Sequence, residues 1–185
     1  MPALQELAAE LGAPERTLRR AVETRTLRCR RPTPRTLILD DAERDYVHRN
    51  WRLLQTLREA LRTEPNVKLA VLFGSTARGD AGPRSDVDLL VAWKDWSRAR
   101  PGALLAKLED ATGREVDLIR WEQAKKSPLL MDQVLSEGRV IVDRGYVWSR
   151  LLAEQDRIIA RGRRHERRRA REAEAALVEL GASFE

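Results

Sequence analysis

Asp86 and Asp88 flank a single valine in the run Ser85-Asp86-Val87-Asp88-Leu89-Leu90-Val91. On an extended strand, residues two apart share a face. Both carboxylates therefore point one way, opposite to Val87, Leu89 and Val91. Adjacent carboxylates repel, a cost usually tolerated where a cation neutralises them. Hard oxygen donors of this kind suit magnesium bridged to nucleotide phosphates. Just upstream, Leu72-Phe73-Gly74-Ser75-Thr76-Ala77-Arg78-Gly79 closes an apolar run, Val67 to Phe73, that predicts a buried strand. Gly74 has no Cβ, so a backbone or a phosphate can approach it closely. A short helix is expected from Ser75 to near Gly79, and its free N–H groups and dipole suit a phosphate. Arg78 would either neutralise phosphate or brace the loop through a carboxylate.

These side chains need a scaffold, and the following residues supply one. Ala103 to Thr112 predicts an amphipathic helix with Leu104, Leu105 and Leu108 inward, stopped by Gly113. Arg114 to Arg120 predicts a strand with Asp117 on the face opposite to Val116 and Leu118. A charge amid a buried strand is costly unless it has a task. Glu115 shares that face and competes for the role, and a surface-edge aspartate is the plain alternative. A helix is expected from Pro128 to Glu137, carrying Met131, Val134 and Leu135, with a short strand over Val140–Asp143. From Trp148 to Leu180 the pattern predicts one long helix. Leu151, Leu152, Ile158 and Ile159 dock it, and Ala175, Ala176, Leu177 and Leu180 offer a second apolar end for a partner.

The pattern G-S-x-A-R-G, a short gap, then S-D-x-D-L-x-V resembles the nucleotidyltransferases of the polymerase-beta type, and most of all their minimal form, the MNT domain. The resemblance covers roughly residues 66 to 145, and Leu135-Ser136-Glu137-Gly138-Arg139-Val140-Ile141 is similar to the end of MNT domains, where it packs. It implies an α/β (α+β) fold, a small mixed sheet with flanking helices. It implies transfer of a nucleotidyl group, AMP from ATP, to an acceptor hydroxyl. Asp86 and Asp88 would hold two magnesium ions, one shared with Asp117, which matches the family's third carboxylate and serves as general base. Gly74 and Ser75 would admit and cradle the β- and γ-phosphates. MNT proteins are often antitoxins paired with a HEPN ribonuclease toxin, which they silence by placing AMP on a tyrosine. Two other readings stay open: a toxin or resistance enzyme modifying RNA or a small molecule, and a transcription regulator with an inactive core.

Ahead of this core, Leu4, Leu7, Ala8 and Leu11 recur at helical spacing up to Gly12, and Pro14 opens a second helix burying Leu18, Ala21 and Val22. Arg16, Arg19 and Arg20 lie on its other face. Thr24 to Leu39 predicts a hairpin whose tip carries Arg28, Arg30, Arg31 and Arg35. Asp40 and Glu43 then have the spacing of a capping box. They open a long helix with an apolar stripe of Val47, Trp51, Leu54 and Leu61. Residues 3 to 47 resemble the winged helix-turn-helix of MerR or excisionase proteins, which implies DNA contact through Arg16, Arg19, Arg20, Arg30, Arg31 and Arg35. A small helical docking domain is the alternative. Glu64-Pro65-Asn66 breaks the helix. The expected division is 1–64 for DNA binding, 65–145 for transfer and 146–185 for a basic C-terminal helix.

The 185 residues are 35% charged with a formal net charge of +6, which limits the core and leaves a heavily charged surface. No run of eighteen apolar residues offers a membrane helix. The N-terminus lacks a signal pattern. Cys29 is the only cysteine, so no internal disulfide forms and the expected compartment is cytoplasmic. Charge is uneven: eight arginines against Glu23 from Arg16 to Arg35, and seven against Glu166 from Arg161 to Arg171. These runs are DNA-facing and RNA-facing candidates, or simply solvated faces. His48 and His165 read as solvated. A palindromic DNA target would favour a homodimer.

Overall fold

The computed structural model describes residues 4–33, 36–82 and 85–182. Two short helices, α1 (Leu4–Glu10) and α2 (Glu15–Glu23), precede an antiparallel pair, β1 (Arg30–Thr33) and β2 (Thr36–Ile38), and the long α3 (Asp41–Arg62). Then come β3 (Val67–Phe73), α4 (Gly74–Arg78), β4 (Val87–Trp93), a 3₁₀ turn at Trp96–Arg98 and α5 (Pro101–Thr112). β5 (Val116–Arg120), α6 (Trp121–Ala124), α7 (Pro128–Glu137), β6 (Arg139–Asp143), α8 (Val147–Ala153) and α9 (Gln155–Ala182) complete the chain. Among the described residues, no helix is long and apolar enough to cross a membrane.

The larger sheet has the order β5-β4-β3-β6, mixed in sense: β3 runs antiparallel to β4 and β6, and β4 parallel to β5. The parallel pair needs a crossover, and α5 supplies it. Alternation sends Ala70, Leu72, Leu89 and Val91 to one face, under α3 and α5. Leu69, Val71, Phe73 and Leu90 go to the other, against Met131, Val134 and Leu135 of α7 and Trp148 of α8. The first of these clusters continues without a break into Leu18, Ala21 and Val22 of α2.

The N-terminal module also covers an edge of the sheet. Val140 of β6 donates its N–H to the Arg25 carbonyl, and the Thr26 hydroxyl donates to the Val140 carbonyl at 2.5 Å. Strand edges left bare invite unwanted pairing. Beneath this seam Arg139 is almost fully buried. It donates to both carboxylate oxygens of buried Glu43 at 2.6 and 2.9 Å, and lies 3.3 Å from the centre of the Tyr46 ring. Its Nε donates to the Ala77 carbonyl of α4 at 2.6 Å.

Several local expectations change. The Asp40 carboxylate caps α3 by accepting the Glu43 N–H, but Glu43 turns its own carboxylate to Arg139 rather than back to the cap. Arg28 is not at the hairpin tip; it donates to the Glu137 carbonyl at the end of α7. His48 is exposed, as expected, and in addition pairs with Glu10 at 3.0 Å. The expected single C-terminal helix breaks at Glu154. Asp143 accepts the Val147 and Trp148 N–H groups and so fixes the direction of α8. After the break, α9 packs on α7 with Gly162 against Pro128, where a Cβ would come 3.1 Å from the proline ring.

Candidate active site

The carboxylates collect where β3 ends and β4 and β5 begin. Asp88 is in register with Phe73 on one side and with Asp117 on the other. Neighbouring strands lie ~4.8 Å apart, and in-register residues point to the same face. Asp117 therefore stands beside Asp88, and Asp86 lies just ahead of the strand, close enough to act on the Asp88 carboxyl. Asp88 is half-buried, while Asp86, Asp117 and the alternative Glu115 are exposed. Burial pushes the Asp88 carboxyl up from its ordinary value, and the charges of Asp117 and Asp86 push it further, against a smaller opposing pull from Arg78. Asp117 is thus felt at Asp88, which favours it over Glu115 as the third member.

Gly74 makes room for this group. Its φ is +71°, and a Cβ there would lie 2.3 Å from the Asp88 Oδ2. Any other residue would be strained by its own backbone and would collide with the carboxylate. Ser75 follows, half-buried in the first turn of α4. The helix closes at Gly79 with φ +95°, pressed so tightly on Tyr46 that a Cβ would meet the ring at 2.9 Å. Arg78 is exposed and pairs with Glu137 at 2.8 Å and with Asp80 at 3.1 Å, so its contacts here brace the loop.

Three supporting residues were not anticipated. Buried Thr76 donates its hydroxyl to the Asp86 carbonyl at 3.0 Å. Arg114 donates from Nε to the Ser85 carbonyl at 2.9 Å and from Nη2 to the Thr76 hydroxyl at 3.1 Å. Together they hold the start of β4, and with it Asp86 and Asp88. Arg139 holds α4 from behind through Ala77. Single-residue patterns gave no signal for any of these partnerships.

Among the described residues, no group of three or more histidine, cysteine, aspartate or glutamate side chains forms a ready-made metal cage. The donor set still fits magnesium. It is all carboxylate, its like charges outweigh the opposing pull of Arg78 on Asp88, and magnesium is commonly held by one or two carboxylates plus substrate phosphates.

The predicted DNA-facing arginines are scattered. Arg16 and Arg20 line a groove between α2 and α3, whereas Arg19 pairs with Glu15 at 2.7 Å. Arg30 is exposed on β1. Arg35 and the side chain of Arg31 lie outside the described residues, as does the side chain of His165 and those of Ala175, Ala176, Leu177 and Leu180.

A cluster of carboxylates beside a glycine-serine turn suits transfer of a phosphate-linked group. Comparison with known proteins agrees. The family model described as polymerase beta, nucleotidyltransferase, matches residues 55–146. A protein of Methanocaldococcus jannaschii, named as a candidate protein adenylyltransferase, is 36% identical over 73 residues, 39% of this chain and 76% of that one. A crystal structure of a mutant MntA–HpeT toxin–antitoxin shares the fold, with a TM-score of 0.52 and 21% identity over 67% of this chain and 98% of that one. The chain belongs to the polymerase-beta nucleotidyltransferase family.

Proposed function

We propose that the chain moves AMP from ATP to a hydroxyl of a partner protein, forming a phosphodiester to that oxygen, breaking the α–β phosphoanhydride and releasing pyrophosphate. The observation that carries this reading is the alignment of Asp88 with Asp117 across parallel strands, beside the Gly74 gap. Asp86 and Asp88, with Asp117, would hold magnesium, which when bound neutralises the triphosphate and acidifies the acceptor hydroxyl. Asp117, the more exposed partner of Asp88, takes the proton from that hydroxyl. The Ser75 hydroxyl donates to the β- and γ-phosphates, and Gly74 lets them approach. Arg78 keeps the loop in place through Glu137.

The name of the M. jannaschii relative supports a protein acceptor, and the toxin–antitoxin neighbour supports a toxin as that acceptor, which the MNT resemblance implies is of HEPN type. In this reading residues 1–64 bind DNA and let the protein repress its own operon in the cytoplasm, residues 65–145 catalyse transfer, and the basic helix of 146–185 serves partner or RNA contact. Incubation with labelled ATP, magnesium and either a HEPN partner or total RNA tests the acceptor. Label on a tyrosine of the partner is expected; label on RNA alone overturns the protein acceptor. A salt-dependent mobility shift on the upstream promoter, weakened by Arg19→Ala with Arg20→Ala, tests the DNA contact.

A further inference from the structure

Arginines from three separate segments meet in one groove. It encloses about 800 Å³ between α2, α3 and β6. Arg16 and Arg20 come from α2, Arg58 and Arg62 from α3, and Arg144 from the residue just after β6. Among the described residues, the groove's two carboxylates are already engaged. Glu59 pairs with Arg62 at 3.3 Å, and Asp143 caps α8. Arg144 spends its guanidinium on the carbonyls of Leu61 and Glu64, at 3.0 and 2.8 Å. Among the described residues, no carboxylate lies within ion-pair distance of Arg16, Arg20 or Arg58, although Arg58 is half-buried. Burial, and after it the nearby charge of Arg20, lowers the Arg58 pKa. A desolvated cation next to another cation is unfavourable unless an anion joins them.

We infer that this groove binds consecutive phosphates, as a site separate from the carboxylate cleft. Guanidinium forks match phosphate oxygens in pairs. Among the described residues, no aromatic side chain lines the groove, which offers no platform on which a base stacks. The ligand is therefore read through its phosphates, whether these belong to a nucleic-acid backbone or to a free polyphosphate. The inference does not rest on the DNA reading above.

Titration calorimetry of the full chain with inorganic tripolyphosphate, at low salt and in EDTA, tests it. Without divalent ions the carboxylate cleft repels this probe. Wild-type binding is expected to weaken as salt rises, and Arg58→Ser and Arg20→Ser are each expected to weaken it at least tenfold. Asp88→Asn is expected to leave it unchanged. Both arginine changes remove a cation that has no partner carboxylate, so the fold is retained; equal melting temperatures check this. A short DNA duplex displaced by tripolyphosphate identifies the backbone as the source. Tripolyphosphate binding without duplex binding identifies a free polyphosphate, and removes the DNA reading while the groove stands. No binding by the wild type, or wild-type affinity in both serine variants, overturns the inference.

Discussion

The carboxylate cleft and the seam between α3 and β6 treat charge in opposite ways. Around Asp88, like charges stand together, and burial followed by Asp117 and Asp86 pushes its carboxyl up from the ordinary value. In the seam, Arg139 and Glu43 are nearly sealed from water, and each guanidinium nitrogen has an acceptor. The seam is complete within the chain, whereas the cleft is completed by whatever binds there. An unresolved charge at the surface marks a place for a ligand, and a fully resolved one in the interior marks a joint.

Breaking the joint gives the largest expected effect. Arg139→Met leaves Glu43 buried without its partner, and urea unfolding should show a loss of about 3–5 kcal/mol. Arg139→Met with Glu43→Leu should recover most of that loss, because two well-packed apolar groups need no pairing. A double variant as unstable as the single one would show that the seam depends on shape rather than charge.

Asp88→Asn addresses the cleft. Transfer from labelled ATP should fall by more than about 100-fold, since even residues behind metal ligands commonly cost 10- to 100-fold. Stability at neutral pH should not fall, because a repelling charge has gone. Gly74→Ala comes next. Its new methyl group would press on the Asp88 carboxylate while its backbone is held at φ +71°, so a loss of about 1–3 kcal/mol is expected alongside reduced transfer.

The smallest effect is on pH dependence. Because the folded chain raises the Asp88 pKa, it binds that proton more readily than the unfolded chain does. The ionised group therefore weakens the fold at neutral pH, and this penalty fades as pH falls through the raised value toward the ordinary aspartate range. The urea midpoints of wild type and Asp88→Asn should differ most at neutral pH and converge on acidification. A gap that widens with acid would contradict the stated sign.

The cleft was more legible in the sequence than the seam, for a physical reason. Strand period alone places Asp86 and Asp88 on one face, and the apolar run Val67 to Phe73 is the observed β3. The helix over Pro128–Glu137 also follows from local pattern, whereas the mixed sheet follows from the family resemblance. Arg139 and Glu43 are 96 residues apart, so no local spacing links them. Glu43 also had a plausible nearby task as half of a capping box, which hid its partner. Arg114 and Thr76 were hidden in the same way, since what they hold is backbone at Ser85 and Asp86. The break at Glu154 was illegible because helical periodicity runs on through it.

The contact of Arg25 and Thr26 with Val140 bears on how the chain can be cut. A fragment starting at residue 65 would keep all four strands of the larger sheet but bare the outer rim of β6. It would also strand Arg139 without Glu43. Such a fragment should self-associate through that rim, and light scattering should show it growing into oligomers where the full chain does not.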